Sequence, residues 1–204
     1  MRTIDLREEL KQLADKRRGQ GQRHHIDVVL LIVIMATMSG YKGYRPIGDF
    51  VTRYKKELIE YLKPLKDRLP SFLTIRRILM QVDTNQFSNL MFKWVSGYVE
   101  LNDDEWVSID GKAIQGSKQS EEDKQLAHMV SLFKNNSKEV LLSKQTQIKS
   151  NEIPLVQQII EDLPLNNLIF TLDSLHCQSQ TLDAIKDSGN DYVVCVKSNQ
   201  KKIT

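Results

Sequence analysis

Apolar positions recur at helical spacing through the first hundred residues. Leu6, Leu10 and Leu13 fall on one side of a charged stretch, which predicts an amphipathic helix over 4–18, broken by Gly19 and Gly21. The run Val28–Met38 is almost wholly apolar. It is much shorter than the roughly 17–25 residues that cross a bilayer, so 26–39 reads as a buried core helix ended by Ser39-Gly40. Tyr41 to Pro46 reads as a turn. Ile47, Phe50, Val51, Tyr54, Leu58 and Leu62 then form one stripe, which predicts a helix from Ile47 to Tyr61. Ser71 is the candidate N-cap of a helix from Phe72 to Val82, and Asn85 to Glu100 reads as another.

After Asn102-Asp103-Asp104 the period changes from helical to short apolar runs. Strands are expected at Trp106–Asp110, at 126–134, at 139–148, at Leu168–Asp173 and at Tyr192–Lys197. Helices are expected at Ile153–Leu163, with Pro154 tolerated in its first turn, and at 179–187, stopped by Gly189. The order β-β-β-α-β-α-β is that of an RNase H-like sheet. Right-handed crossovers would set the first strand beside the fourth. The expected fold class is therefore α/β (α+β overall): a helical domain over 1–102, then a partial RNase H-like mixed sheet over 103–204.

Charge sharpens this division. Residues 1–100 carry 18 Lys and Arg against 11 Asp and Glu, residues 101–204 carry 11 against 15, and no arginine follows Arg77. An arginine-bearing half suits phosphate contacts, because the guanidinium fork takes two oxygens at once. An acidic half suits metal binding or plain solvation. Two cysteines, Cys177 and Cys195, make no disulfide framework and no zinc spacing, so reduced thiols in a cytoplasmic protein are expected. The charged opening is not a secretory signal, and no membrane partner is expected.

Two aspartates stand out by position. Asp110 ends one short apolar strand and Asp173 ends another. If those strands are neighbours their carboxylates come close, which is costly unless a cation lies between them. Oxygen-only carboxylate ligands select hard cations such as Mg²⁺ or Mn²⁺. The ordinary alternative is that aspartate is common where strands turn.

The string Ile109-Asp-Gly-Lys-Ala-Ile-Gln-Gly-Ser117 resembles the first-aspartate motif of H-repeat-associated insertion-sequence transposases, a group within the DDE, RNase H-like superfamily. His128-Met-Val-Ser131, Lys149-Ser-Asn-Glu-Ile153, Thr171-Leu-Asp-Ser-Leu-His-Cys-Gln178 and Tyr192-Val-Val-Cys-Val-Lys-Ser-Asn-Gln200 match in the same order. The helical half is similar through Pro70-Ser71 and Thr74-Ile-Arg-Arg-Ile78. The resemblance implies Mg²⁺-dependent cleavage and transfer of DNA strands, with Asp110 and Asp173 as catalytic, metal-binding acids. It places the third acid, a glutamate, on a helix after the last strand, so the expectation is a chain that stops short of it and has low activity by itself. A binding relic, or a regulator that pairs with an intact transposase, is the alternative. Duplex DNA at transposon ends is the expected partner, with a homo-oligomer or a transposase pair as the assembly.

Further residues are assigned by place. Arg76 and Arg77 would face DNA if Phe72–Val82 is a recognition helix, and Lys112 and Lys197 would contact phosphates. Lys16-Arg17-Arg18 and Arg23 form a basic arm or a solvated tail. His176, Asn199 and Gln200 fall at the presumed active edge, and His128 is a weaker candidate beside them. Glu152 reads as capping the helix from Ile153 rather than as an acid in catalysis.

Overall fold

The computed structural model describes residues 5–19, 22–114, 127–146, 152–163 and 165–197. It divides the chain into two compact units, Met1–Leu90 and Met91–Thr204.

The first unit is helical. Helix α1 spans Leu6–Leu10, capped by the Asp5 side chain, which accepts from the Arg7 amide at 2.8 Å. It is shorter than the 4–18 pattern suggests. The Asp15 carboxylate accepts from the Arg17 amide at 3.1 Å, a side-chain bond that competes with the helical ladder. Helix α2, Ile26–Met38, buries Val28, Val29, Leu30, Ile32 and Ala36. Buried Asp27 meets the Arg7 guanidinium at 3.0 Å, which fixes α1 on α2. Among the described residues no helix is long and apolar enough to cross a membrane.

The single stripe expected from Ile47 is two helices, α3 (Tyr44–Arg53) and α4 (Lys55–Leu62), with the break at Tyr54. Helix α3 begins inside the segment expected as a turn. Gly43 at φ +98° precedes it, and Pro46 falls in the first turn, where its missing N–H costs no bond. Helix α5 spans Phe72–Leu79 with Ser71 as N-cap, its hydroxyl accepting from the Thr74 amide. Ile75 and Ile78 of α5 close a core with Val29, Ile32, Phe50, Leu58 and Leu62. Helix α6, Thr84–Ser96, starts where Asp83 accepts from the amides of Asn85 and Gln86.

The second unit is built on one five-stranded sheet of order β3-β2-β1-β4-β5. The strands are β1 (Glu105–Ala113), β2 (His128–Lys134), β3 (Val140–Thr146), β4 (Leu168–Leu172) and β5 (Asp191–Val194). Strands β1, β2 and β3 are antiparallel neighbours, and β4 lies parallel to both β1 and β5. This is the RNase H-like order, with the first strand beside the fourth. Helix α7 (Glu152–Asp162) carries the chain from β3 to β4, and α8 (Ser179–Asp187) carries it from β4 to β5. Both crossovers supply apolar side chains to one core, where Val156, Ile159, Ile160 and Ile185 meet Val107, Ile109, Val130, Leu132, Leu168 and Phe170.

Strand β1 is longer than the apolar run that announced it. Gly111, Lys112 and Ala113 continue it, paired with Val130, Met129 and His128. Its start is anchored by buried Glu105, held by Lys134 Nζ at 3.2 Å and Asn136 Nδ2 at 2.7 Å. Burial pushes the Glu105 carboxyl up, and the Lys134 ammonium with the Asn102 and Asn136 amides outweighs this and holds it below its ordinary value.

Buried Asn190 joins the α8–β5 turn to β4. Its Oδ1 accepts from the Leu168 amide at 3.0 Å, and its Nδ2 donates to the Leu165 carbonyl at 2.8 Å. Asn190→Ala leaves the Leu168 N–H buried without that acceptor. It is expected to lower stability by about 1–3 kcal/mol, read as a reduced urea midpoint with unchanged slope.

Candidate active site

Residues along β1 alternate in burial. Val107 and Ile109 enter the core, while Ser108 and Asp110 lie on the opposite face. Strand β4 follows the same rule, with Leu168, Phe170 and Leu172 inward and Thr171 outward. Ser108 pairs with Thr171 across the parallel ladder, and their hydroxyls hydrogen-bond to each other. Ser108 also donates to the Asn135 side chain. Two residues further along each strand come Asp110 and Asp173. The backbone at Asp173 is still extended, at φ −76° and ψ 173°, so the alternation carries through. The two aspartates, both exposed, thus each follow the Ser108–Thr171 pair by two residues, Asp110 within β1 and Asp173 just past the end of β4.

Each carboxylate is tethered. Asp173 Oδ1 accepts from the Leu175 amide at 2.9 Å and caps the 3₁₀ turn Ser174–His176. Asp110 Oδ2 lies 3.4 Å from Lys112 Nζ, and that pair is largely solvated. Lys112, assigned to phosphate, thus stands beside the first aspartate. Lys197 follows the carboxyl end of β5, the same end of the sheet as Asp173. Asn199, Gln200 and Ser117 lie outside the described residues. On α5, Arg76 and Arg77 are both exposed, opposite buried Ile75 and Ile78.

The core side of the sheet holds a cluster that sequence reasoning did not assemble. Glu152, the first residue of α7, is buried, and its carboxylate lies against β1 at Gly111. Its Oε1 is 3.4 Å from His176 Nε2 and its Oε2 is 3.7 Å from His128 Nδ1. His176 is 2% exposed, and its Nδ1 has no hydrogen-bond partner among the described residues. His176 therefore sits under the sheet edge, joined to the first turn of α7. Cys177 beside it is buried and Cys195 is exposed, both as free thiols. The signal for this cluster lay in the matched strings, since His128-Met-Val-Ser131, Lys149-Ser-Asn-Glu-Ile153 and Thr171–Gln178 each contribute one member.

The donor chemistry of the aspartate pair fits a hard divalent cation, since both groups offer carboxylate oxygen and neither is engaged by a buried counter-charge. Among the described residues no group of three or more His, Cys, Asp or Glu side chains is arranged to hold a metal ion.

Gly111 leaves room for the Glu152 carboxylate as it stands. A Cβ there would sit 2.2 Å from Glu152 Oε1 and 2.5 Å from its Cδ. Gly111→Ala is expected to push the carboxylate off its two histidines and cost about 1–3 kcal/mol, the range for overpacking. A melting temperature equal to that of the parent would contradict this.

Residues 7–95 match the model of the DDE transposase-associated domain, and residues 102–204 match the transposase DDE domain. YncI of Escherichia coli strain K12, which its name proposes as a transposase, is 33% identical over 190 residues, covering 91% of this chain and 75% of that protein. The same alignment covers 48% of YncI from Escherichia coli O157:H7. YbfD of strain K12, named as H repeat-associated, is 27% identical over 198 residues, covering 97% of this chain and 78% of its own. A solved piggyBac transposase synaptic complex with hairpin DNA aligns at 11% identity and a TM-score of 0.45, covering 99% of this chain and 50% of that one. With both halves matched in order by the two family models, the chain belongs to the transposases that carry a DDE domain.

Proposed function

We propose that the second unit is the DNA-cutting part of a transposase, with Asp110 and Asp173 as its metal-binding acids and Mg²⁺ or Mn²⁺ as the cation. The observation that carries this reading is two exposed aspartates, 63 residues apart in sequence, each two residues beyond the Ser108–Thr171 pairing of adjacent parallel strands. Repulsion between two such carboxylates is relieved by a shared cation, which is what the pair offers to a ligand. A bound divalent cation would neutralise charge at a scissile phosphate and activate the attacking oxygen.

The chain's own residues do the rest. The Leu175 amide holds one Asp173 oxygen, which leaves the other oxygen for a ligand. Ser108 hydrogen-bonds both Asn135 and Thr171, which ties β1 to β4 one step before the pair. Lys112 and Lys197 stand at the same end of the sheet, where each would meet a backbone phosphate of DNA. Arg76 and Arg77, exposed on α5, extend the DNA contact to the first unit. Asn199 and Gln200 belong to the same reading as polar contacts beyond Lys197.

Titration with Mn²⁺, followed by water proton relaxation, is expected to detect binding that Asp110→Ala and Asp173→Ala each remove. Undiminished binding in the double variant would overturn the assignment. Any Mg²⁺- or Mn²⁺-dependent cutting of a labelled duplex must also fall to background in Asp110→Ala. Cutting that survives that substitution assigns the chemistry elsewhere.

A further inference from the structure

The first unit contains a hollow of about 610 Å³ lined by Lys16, Arg17, Arg18, Arg23, Arg77 and His24, with Thr74, Ile78 and Gln81 completing it. Its volume is within the range of sites that hold a ligand, about 300–1,000 Å³, yet five of its nine lining residues are permanent cations. Such a concentration of one charge is unfavourable unless solvent or an anion answers it.

Only one of the five is answered from within. Arg17 donates to Asp15 and to the His24 carbonyl, the latter at 2.8 Å, so its guanidinium is a fixed wall of the hollow. Lys16, Arg18, Arg23 and Arg77 are exposed, and none of them forms an ion pair among the described residues. His24 reports the resulting field. Its pKa is lowered first by burial and then by the charges of Arg17, Arg68 and Arg23, against the opposing pull of the Arg68 backbone. Burial is the main cause, and the guanidinium charges add to it in the direction that neighbouring cations impose.

We propose that this hollow docks the sugar–phosphate backbone of duplex DNA, through contacts that do not read base sequence. Arg77 enters it from α5, while Lys16, Arg18 and Arg23 enter from the segment between α1 and α2. The hollow thus combines the exposed face of a helix with a basic arm, and an extended polyanion satisfies both where a small anion satisfies one. The Thr74 hydroxyl and Gln81 amide add neutral donors suited to phosphate oxygens. The inference rests on DNA being the partner, and it is independent of the cutting chemistry at Asp110 and Asp173.

The test is the salt dependence of binding to a scrambled-sequence duplex, measured by fluorescence anisotropy without divalent cation. The variant R18A/R23A/R77A is expected to lower the log–log salt slope by about 3, one for each phosphate no longer neutralised, and to weaken binding at least about tenfold at low salt. The variant R18K/R23K/R77K is expected to keep most of the affinity, which separates a missing charge from a disturbed fold. A charge-matched variant on the exposed surface of the same unit, K42A/K55A/K56A, is expected to change the slope by much less. An unchanged slope in R18A/R23A/R77A would overturn the proposal, and so would equal weakening in the two alanine variants. Binding of inorganic tripolyphosphate without binding of duplex would also overturn it, assigning the hollow to a free polyphosphate.

Discussion

Strand β1 lying parallel to β4 is the constraint on which the second unit depends. Parallel neighbours need a long crossover, and here the chain makes β2, β3 and α7 before it returns to β1. The energy for that return comes from apolar burial. Val156, Ile159 and Ile160 of α7 cover Val107, Ile109 and Phe170, all nearly inaccessible to water. The pairing Ser108↔Thr171 then sets the level at which the two strands meet, and Asp110 and Asp173 take their positions from it. Nothing in the local sequence of either aspartate determines that meeting. It is produced by a core on the far side of the sheet.

Most of this was legible because apolar runs and their order are strong signals. Five short runs separated by one turn pattern and two helical patterns carried the strand order, and the string matches singled out Asp110 and Asp173 as candidate acids. What escaped had little hydrophobic signature. The last third of β1, Gly111-Lys-Ala113, is held by its ladder with β2 rather than by burial, so the expected strand ended three residues before the observed one. Likewise the helical pattern over 4–18 is filled only from Leu6 to Leu10, and further along the Asp15 side chain takes the Arg17 amide that a helical ladder would use. Glu152 was legible as the beginning of a helix. Its engagement with His128 and His176 depends on three segments meeting, which periodicity does not encode.

The two units divide the electrostatic work. In the first, arginine and lysine gather in one hollow where, among the described residues, only Arg17 is paired. In the second, charges near the sheet edge are mostly met by partners: Glu105 by Lys134, Asp110 by Lys112, and Glu152 by two histidines. Unanswered positive charge thus gathers in the first unit, while the charges at the sheet edge of the second are largely met within the fold.

The absent side chain at Gly111 has a consequence for how the sheet assembles. A strand that slips by one residue against its neighbours turns every side chain to the opposite face. In β1 such a slip would bring Asp110 or Lys112 beneath the Glu152 carboxylate, where even a single methyl group meets an oxygen at 2.2 Å. The first turn of α7 therefore acts as a gauge that accepts Gly111 as it stands and would have to give up the two histidine contacts of Glu152 to a bulkier residue of β1. Through that gauge, a glycine with no chemistry of its own determines which face of the sheet the Asp110 carboxylate can occupy.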